Sequence, residues 1–140
     1  MQTTLAILKP DSVAAGNAGN ILALLEAKGF RVRALKSVRL TESNARSFYQ
    51  IHKDRAFYND LIEFMTGGLV IPVALEREDA VAYLRQVMGA TDPQQAAADT
   101  VRTLYGSNVQ ENAIHGSDSP ENAARELAFF FSQTELLASR

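Results

Sequence analysis

The order of apolar runs and helical stretches predicts an α+β domain made of two split β-α-β units, giving an antiparallel sheet with helices on one face. Three observations carry that expectation. Strand-like and helix-like segments follow one another as β-α-β-α-α-β-α-β-α, an order that two interleaved split units satisfy with few long connections. The first strand runs into Lys9-Pro10-Asp11 and not into a Gly-rich phosphate loop, which weakens the alternative of a doubly wound parallel sheet. With 140 residues, 46% hydrophobic and 21% charged, the chain suits one domain that buries roughly two thirds of its unfolded surface. Residues 1–140 are therefore read as a single domain, with no repeat, linker or low-complexity tract.

Leu5-Ala6-Ile7-Leu8 reads as a buried strand, stopped where Pro10 cannot continue a central ladder. Gly16 to Gly19 is a turn cluster, and Asn20 is expected to cap an amphipathic helix that turns Ile21, Leu24 and Leu25 inward and ends at Lys28-Gly29. Arg31 to Leu40 alternates as a half-exposed strand would. Thr41 caps a second helix running towards His52, and Ala56 to Thr66 forms a third, with Phe57, Leu61 and Phe64 at helical spacing until Gly67-Gly68 breaks it. Leu69 to Leu75 returns to strand, with Pro72 at a position that no sequence feature explains. Asp79 to Met88 is helical, and a long Ala/Gln/Asp-rich connection runs from Gly89 to about Asn108. A short strand at His115 and a helix from Pro120 to about Phe131 close the order, with Ser119 as cap and Pro120 at the first helical position.

A net charge of -2 gives no electrostatic footprint for nucleic acid or an anionic membrane. Any polyanion must then be held by a few placed cations. Cysteine is absent, which excludes disulfides and thiolate metal sites. The opening Met1-Gln2-Thr3-Thr4 has neither the basic segment nor the apolar core of a signal peptide, and no apolar stretch spans a bilayer. A cytoplasmic protein without membrane or specific nucleic-acid partners is expected.

Asn112-Ala113-Ile114-His115-Gly116-Ser117-Asp118 is the segment richest in chemistry. Apolar residues run into His115, Gly116 breaks the run, and Ser117 and Asp118 supply a hydroxyl and a carboxylate. A neutral imidazole so placed can serve as nucleophile or base. A lone histidine at a strand end is more often a packing residue, but its neighbours reverse that balance. The string N-A-I-H-G-S-D-S closely resembles the active-site signature of nucleoside diphosphate kinases.

The resemblance extends from Leu5 to about Phe131 in several blocks in the right order. Ala6-Ile7-Leu8-Lys9-Pro10-Asp11 resembles the family's opening strand and lysine; Phe48-Tyr49 and Lys53-Asp54-Arg55-Ala56-Phe57-Tyr58 resemble its nucleotide-clamp helices. Arg85, Met88 to Pro93, and Thr100-Val101-Arg102 resemble its phosphate-binding segment, and Glu126 follows on the last helix. The resemblance implies a ferredoxin-like antiparallel sheet with additional helices. It implies transfer of a γ-phosphoryl group from a nucleoside triphosphate to a nucleoside diphosphate, by ping-pong through a phosphohistidine at His115, with Mg²⁺ carried on the nucleotide. The partners implied are these nucleotides and further copies of the chain, with a tetramer favoured over a hexamer because the tail after Phe131 is short.

The implied roles have separate physical sense. Glu126 can fix the tautomer of His115 and Ser117 can brace that carboxylate. Lys9, Arg85 and Arg102 supply positive charge to the transferring phosphates, with Thr91 as a neutral donor; Arg55 ranks below them. Tyr49 is assigned beside the histidine. Phe57 is the lid for the base, with Leu61 and Val109 completing an apolar slot tolerant of purine and pyrimidine. Asn112 with Lys9 would hold the sugar hydroxyls, and Asp118 could reach the hydration shell of Mg²⁺. Phe64 is assigned to the core and His52 to the surface or a loop.

Departures from the family pattern lie at Ala98-Asp99, where Pro-Gly is common, and at Leu69 and Arg77. The first puts in question the shape of the turn that delivers Arg102; the others bear on local geometry or subunit contacts. Two further function classes compete with this reading: a non-catalytic nucleotide-binding domain, and a binding role towards nucleic acid or a partner protein. Joint presence of His115, Lys9, Arg85, Arg102 and Glu126 argues against the former, and balanced charge gives the latter no independent support.

Overall fold

A computed structural model describes residues 1–137. Strand β1 (Gln2–Leu8) lies between β3 (Ile71–Arg77) and β4 (Ile114–Gly116), and β3 also pairs with β2 (Arg31–Leu35). The sheet order is β2-β3-β1-β4 with every pairing antiparallel. This is the ferredoxin-like arrangement expected of split β-α-β units.

Helices cover both faces of the sheet, not one. On one side Ala6, Leu8, Val73 and Leu75 pack against α2 (Ala18–Ala27) and α5 (Ala80–Met88). On the other, Leu5, Ile7 and Ala74 pack against α3 (Glu42–Phe48), α4 (Tyr58–Thr66) and α7 (Pro120–Phe130). The physical reason is present in β1 itself, where Thr4 to Leu8 are all buried. An unbroken buried run, in place of alternation, marks a strand covered on both faces.

Strand β2 stops at Leu35, short of the expected Leu40, after a bulge between Val32 and Ala34; beyond it only the Val38–Val70 bridge continues the pairing. This early end accounts for Pro72. The Pro72 carbonyl accepts from the Lys36 N–H at 3.3 Å, and in an antiparallel ladder a residue's nitrogen and carbonyl face the same neighbour. The missing N–H therefore faces the side where β2 has already ended, and the β1–β3 ladder loses no donor.

Several helix boundaries differ from expectation. Pro10, read as a strand stop, also opens the short helix α1 (Pro10–Ala14), where a missing N–H costs nothing. Helix α2 begins at Ala18, so Asn20 is not its cap; its side chain donates to Asn17 instead, at 3.3 Å. The Thr41 hydroxyl caps α3 by accepting from Asn44 N–H at 3.0 Å, but the helix ends at Phe48 and a separate 3-10 turn covers Gln50–His52. In α4 the buried stripe is Tyr58, Ile62 and Met65; Phe57, Leu61 and Phe64 share the neighbouring face at the expected helical spacing, which keeps Phe57 and Leu61 available to the slot. The connection from Gly89 contains a 3-10 turn (Pro93–Gln95) and helix α6 (Val101–Tyr105) capped by Thr100. A last helix, α8 (Gln133–Leu137), was not foreseen. Among the described residues no helix is long and apolar enough to cross a membrane.

Candidate active site

The site is assembled around β4, whose entry is a strained turn. Ile114 N–H donates to the Asn112 carbonyl at 2.9 Å, closing a γ-turn with Ala113 at φ 74°. Such a conformation costs an alanine on the order of 1–3 kcal/mol and persists only where the surroundings enforce it. Here the junction of β1 and α1 does so. Ala113 N–H donates to the Asp11 carboxylate at 3.1 Å, and the Ala113 carbonyl accepts from Lys9 N–H and the Ser12 hydroxyl, both at 2.9 Å. Helix α1 starts where it does in register with this turn, so the opening strand fixes the direction in which His115 leaves β4.

His115 pairs with Ile7 on β1. Its Nε2 lies 2.9 Å from Glu126 Oε1, and the Ser117 hydroxyl donates to the same oxygen at 2.7 Å. Burial alone would raise the Glu126 pKa, but the hydrogen bond and charge of His115, the Ser117 hydroxyl and Arg125 outweigh it, and the carboxyl is held below its ordinary value. An ionised carboxylate only accepts, so Nε2 carries the proton and Nδ1 keeps its lone pair. Among the described residues Nδ1 has no hydrogen-bond partner. The rings of Phe48 and Tyr49 meet the imidazole edge-on at 5.6 and 6.2 Å between centroids. Burial, followed by the Glu126 charge, pushes the Tyr49 hydroxyl well above its ordinary pKa, so it stays a phenol.

In front of His115 is a cleft of about 570 Å³. Lys9, Tyr49, Phe57, Leu61, Arg85, Thr91, Arg102, Val109, Asn112, Asp118 and Glu126 all line it with His115, while Ser117 sits buried behind. The structure thus brings together the whole set read from the sequence. Arg55, ranked below the other cations, is not part of the lining. Lys9 Nζ donates to Asn112 Oδ1 at 2.8 Å and to the Gln110 carbonyl at 3.2 Å, and Asn112 Nδ2 donates to the Thr91 carbonyl at 3.0 Å. Arg102 is buried and donates to the carbonyls of Gly89 and Ile114 at 3.0 and 2.8 Å. Arg85 reaches the Gly116 carbonyl at 3.4 Å.

Burial and then the charge of Arg102 lower the Lys9 pKa to about 8, with Asp11 partly opposing them. Burial and then Arg85 lower Arg102 to about 10. Cations packed closely enough to disfavour one another's charge form a site matched to a polyanion. The opposite chemistry lines the mouth, where Phe57 and Val109 are exposed large apolar residues. Phe64 is half-buried beneath the Lys9 ammonium, 5.8 Å from its ring centre, and not wholly in the core.

No group of three histidine or acidic side chains placed to hold a metal occurs among the described residues. Asp118 contributes one carboxylate to the cleft, kept ionised chiefly by Asn122, which donates to Oδ1 at 2.6 Å. That donor set suits a water-mediated contact to a cation borne by a phosphate ligand, not a protein-built cage.

His52 is the residue that the sequence reading misplaced. It lines the cleft within the 3-10 turn, its ring 6.4 Å from Tyr49 and 5.9 Å from Phe57, with Nδ1 buried and without a partner among the described residues. Burial, then the charges of Arg55 and His115, lower its pKa against the pull of Asp118 and Glu126. The available signal was its spacing of three from Tyr49, which puts both rings on one side of a continued helical turn.

The turn before Arg102 departs from the family pattern in sequence but keeps a glycine-like backbone. Asp99 stands at φ 67°, in the left-handed region that glycine enters without penalty. We expect Asp99→Gly to stabilise the protein by about 1 kcal/mol. A thermal melt that is unchanged or lowered in that variant would show that the Asp99 side chain more than compensates for its backbone.

Comparison with known proteins is consistent along the whole chain. Residues 2–136 match the family model described as nucleoside diphosphate kinase. A nucleoside diphosphate kinase of Sorangium cellulosum is 51% identical over 139 residues, covering 99% of this chain and 96% of that protein. The crystal structure of the Aquifex aeolicus nucleoside diphosphate kinase superposes with a TM-score of 0.94 at 42% identity, covering 96% of this chain and 97% of that one. The Halobacterium salinarum enzyme, solved in complex with CDP, gives a TM-score of 0.91 at 40% identity, covering 96% and 90%.

Proposed function

Since the chain belongs to the nucleoside diphosphate kinase family, enzymes that transfer phosphate between nucleotides, we propose that it works in two half-reactions with His115 carrying the phosphate between them. The observation that supports this best is the engagement of His115 Nε2 by Glu126, which leaves the Nδ1 lone pair unengaged on a residue that lines a cationic cleft.

In the first half-reaction Nδ1 attacks the γ-phosphorus of a nucleoside triphosphate. A P–N bond forms as the bond to the β-bridging oxygen breaks, and the diphosphate leaves with its electron pair. No proton need leave the ring, because Nε2–H remains shared with Glu126, whose negative charge offsets the positive charge the ring acquires. The second half-reaction reverses these steps with a different diphosphate. Lys9, Arg85 and Arg102 stabilise charge spread over the phosphoryl oxygens, and Thr91 adds a neutral donor. Asn112 and Lys9, tied to each other at 2.8 Å, hold the sugar hydroxyls. Magnesium enters on the substrate's phosphates and would neutralise part of their charge; Asp118 would hold water of its hydration shell. Self-association into a tetramer and residence in the cytoplasm belong to this proposal and rest on the sequence reading alone.

Stacking on Phe57 commits no hydrogen bond, so it serves every base. We expect Phe57→Ala to raise KM about tenfold for purine and pyrimidine nucleotides alike. A loss confined to one base would show that a polar contact also reads the base. The relay itself is tested by incubating the protein with γ-labelled ATP and Mg²⁺, then adding a second nucleoside diphosphate. Support is an acid-labile, base-stable label on the protein that moves to the added diphosphate; nucleotide binding without any label would overturn the reading.

A further inference from the structure

Arg125 precedes Glu126 on α7 and is not part of the cleft lining. Its guanidinium nonetheless approaches two residues that pack on or bond to His115, namely Phe48 and Glu126. One nitrogen, Nη2, donates to the Phe48 carbonyl at 3.4 Å, the last carbonyl of α3 and one of those a helix end leaves without an intrahelical partner. The same nitrogen lies 3.6 Å from Glu126 Oε2, the oxygen that neither His115 nor Ser117 engages. The guanidinium carbon stands 5.7 Å from the centre of the Phe48 ring, whose own edge contact is to the His115 imidazole. One cation thereby pins the end of α3 against α7, and with it the start of the segment that carries Tyr49 to the catalytic histidine.

We propose that Arg125 is a positioning residue for phosphoryl transfer: it fixes the rotation of the Glu126 carboxylate by holding Oε2, so that Oε1 is presented to His115 Nε2. A carboxylate free to turn could offer either oxygen, or share its charge with water, and would orient the imidazole less sharply. The groups facing Glu126 are His115 and Ser117 from β4 and its exit, Tyr49 and His52 from α3 and the turn after it, and Arg125 on its own helix. Of these only Arg125 is permanently charged, so it adds to the His115 and Ser117 hydrogen bonds an attraction for the ionised carboxylate that no working pH removes. The lowered pKa of Glu126, to which Arg125 contributes, is consistent with this.

The inference rests on the phosphohistidine reading above, and the test separates the two. Formation of labelled phosphohistidine from ATP is followed against pH in the wild-type protein, Arg125→Met and Arg125→Lys, with thermal melts of all three. Methionine keeps the length and the packing on Phe48 but removes the charge, so protonation of Glu126 becomes easier. The acid limb of the rate profile is then expected to move up by about half a pH unit, with KM for ATP unchanged. Lysine keeps the charge and is expected to restore the limb. A methionine variant that loses melting temperature while its acid limb stays in place would make Arg125 a helix-end tie only and overturn the proposal. Absence of label on the wild-type protein would instead overturn the phosphohistidine reading beneath it.

Discussion

His115→Ala is expected to lower phosphoryl transfer by at least about four orders of magnitude while leaving nucleoside triphosphate binding within a few-fold of wild type. The two quantities separate because they rest on different atoms. In the proposed mechanism binding draws on Lys9, Arg85 and Arg102 for the phosphates and on Phe57, Leu61 and Val109 for the base, and none of these bonds to the imidazole. Transfer needs the Nδ1 lone pair, for which no other group in the cleft substitutes in that geometry. The variant also leaves Glu126 buried with Ser117 as its remaining Oε1 partner, at a cost of about 1–3 kcal/mol. Glu126 is held below its ordinary pKa in the folded state, so its contribution to stability is present above the carboxylate range and is lost as pH falls through the folded value. The melting-temperature gap between variant and wild type should therefore be widest near neutral pH and close on acidification. Steady-state transfer, calorimetric titration with ATP and melts across pH measure these effects. Retention of turnover in His115→Ala would remove His115 from the covalent step altogether.

What the sequence displays well is whatever a single element decides. The strand run at Leu5 to Leu8 and the Thr41 and Ser119 caps can each be read locally, because the residue that makes the structure also marks it. What it hides is decided between elements. The turn at Ala113 is imposed by Asp11, Lys9 and Ser12 from the far end of the chain, and alanine has no preference for positive φ that would announce it. At the start of α4 Phe57 and Tyr58 are adjacent aromatics, and only the sheet behind the helix selects Tyr58 for the core. Phe57 is thereby released to the cleft mouth. His52 was hidden by its charged neighbours Lys53 and Asp54, which face solvent while its own ring turns inward.

The second large effect is expected at Arg102. Arg102→Met should reduce kcat/KM by roughly two to three orders of magnitude, the range found when one preorganised donor to developing charge is removed. Methionine fits the space of the buried stem but supplies no donor, so the carbonyls of Gly89 and Ile114 also lose their partner. Each such loss costs about 1–3 kcal/mol of stability if water does not replace it. Reduced activity could therefore reflect a loosened β4 alone, and the pH profile distinguishes the two causes. In the wild-type protein the Lys9 pKa lies at about 8, lowered by burial first and by Arg102 second. As pH rises through that value Lys9 loses its charge, and affinity for nucleotide phosphates should fall with it. Removing Arg102 takes away the one charge that, after burial, holds Lys9 down, so the alkaline limb of kcat/KM should move to higher pH even as the plateau drops. A drop in the plateau with the alkaline limb unmoved would mean that Arg102 acts on the chemistry only as a tie between Gly89 and β4. A limb that shifts upward requires the two cations to share one electrostatic site, which is the arrangement a transferring phosphoryl group needs.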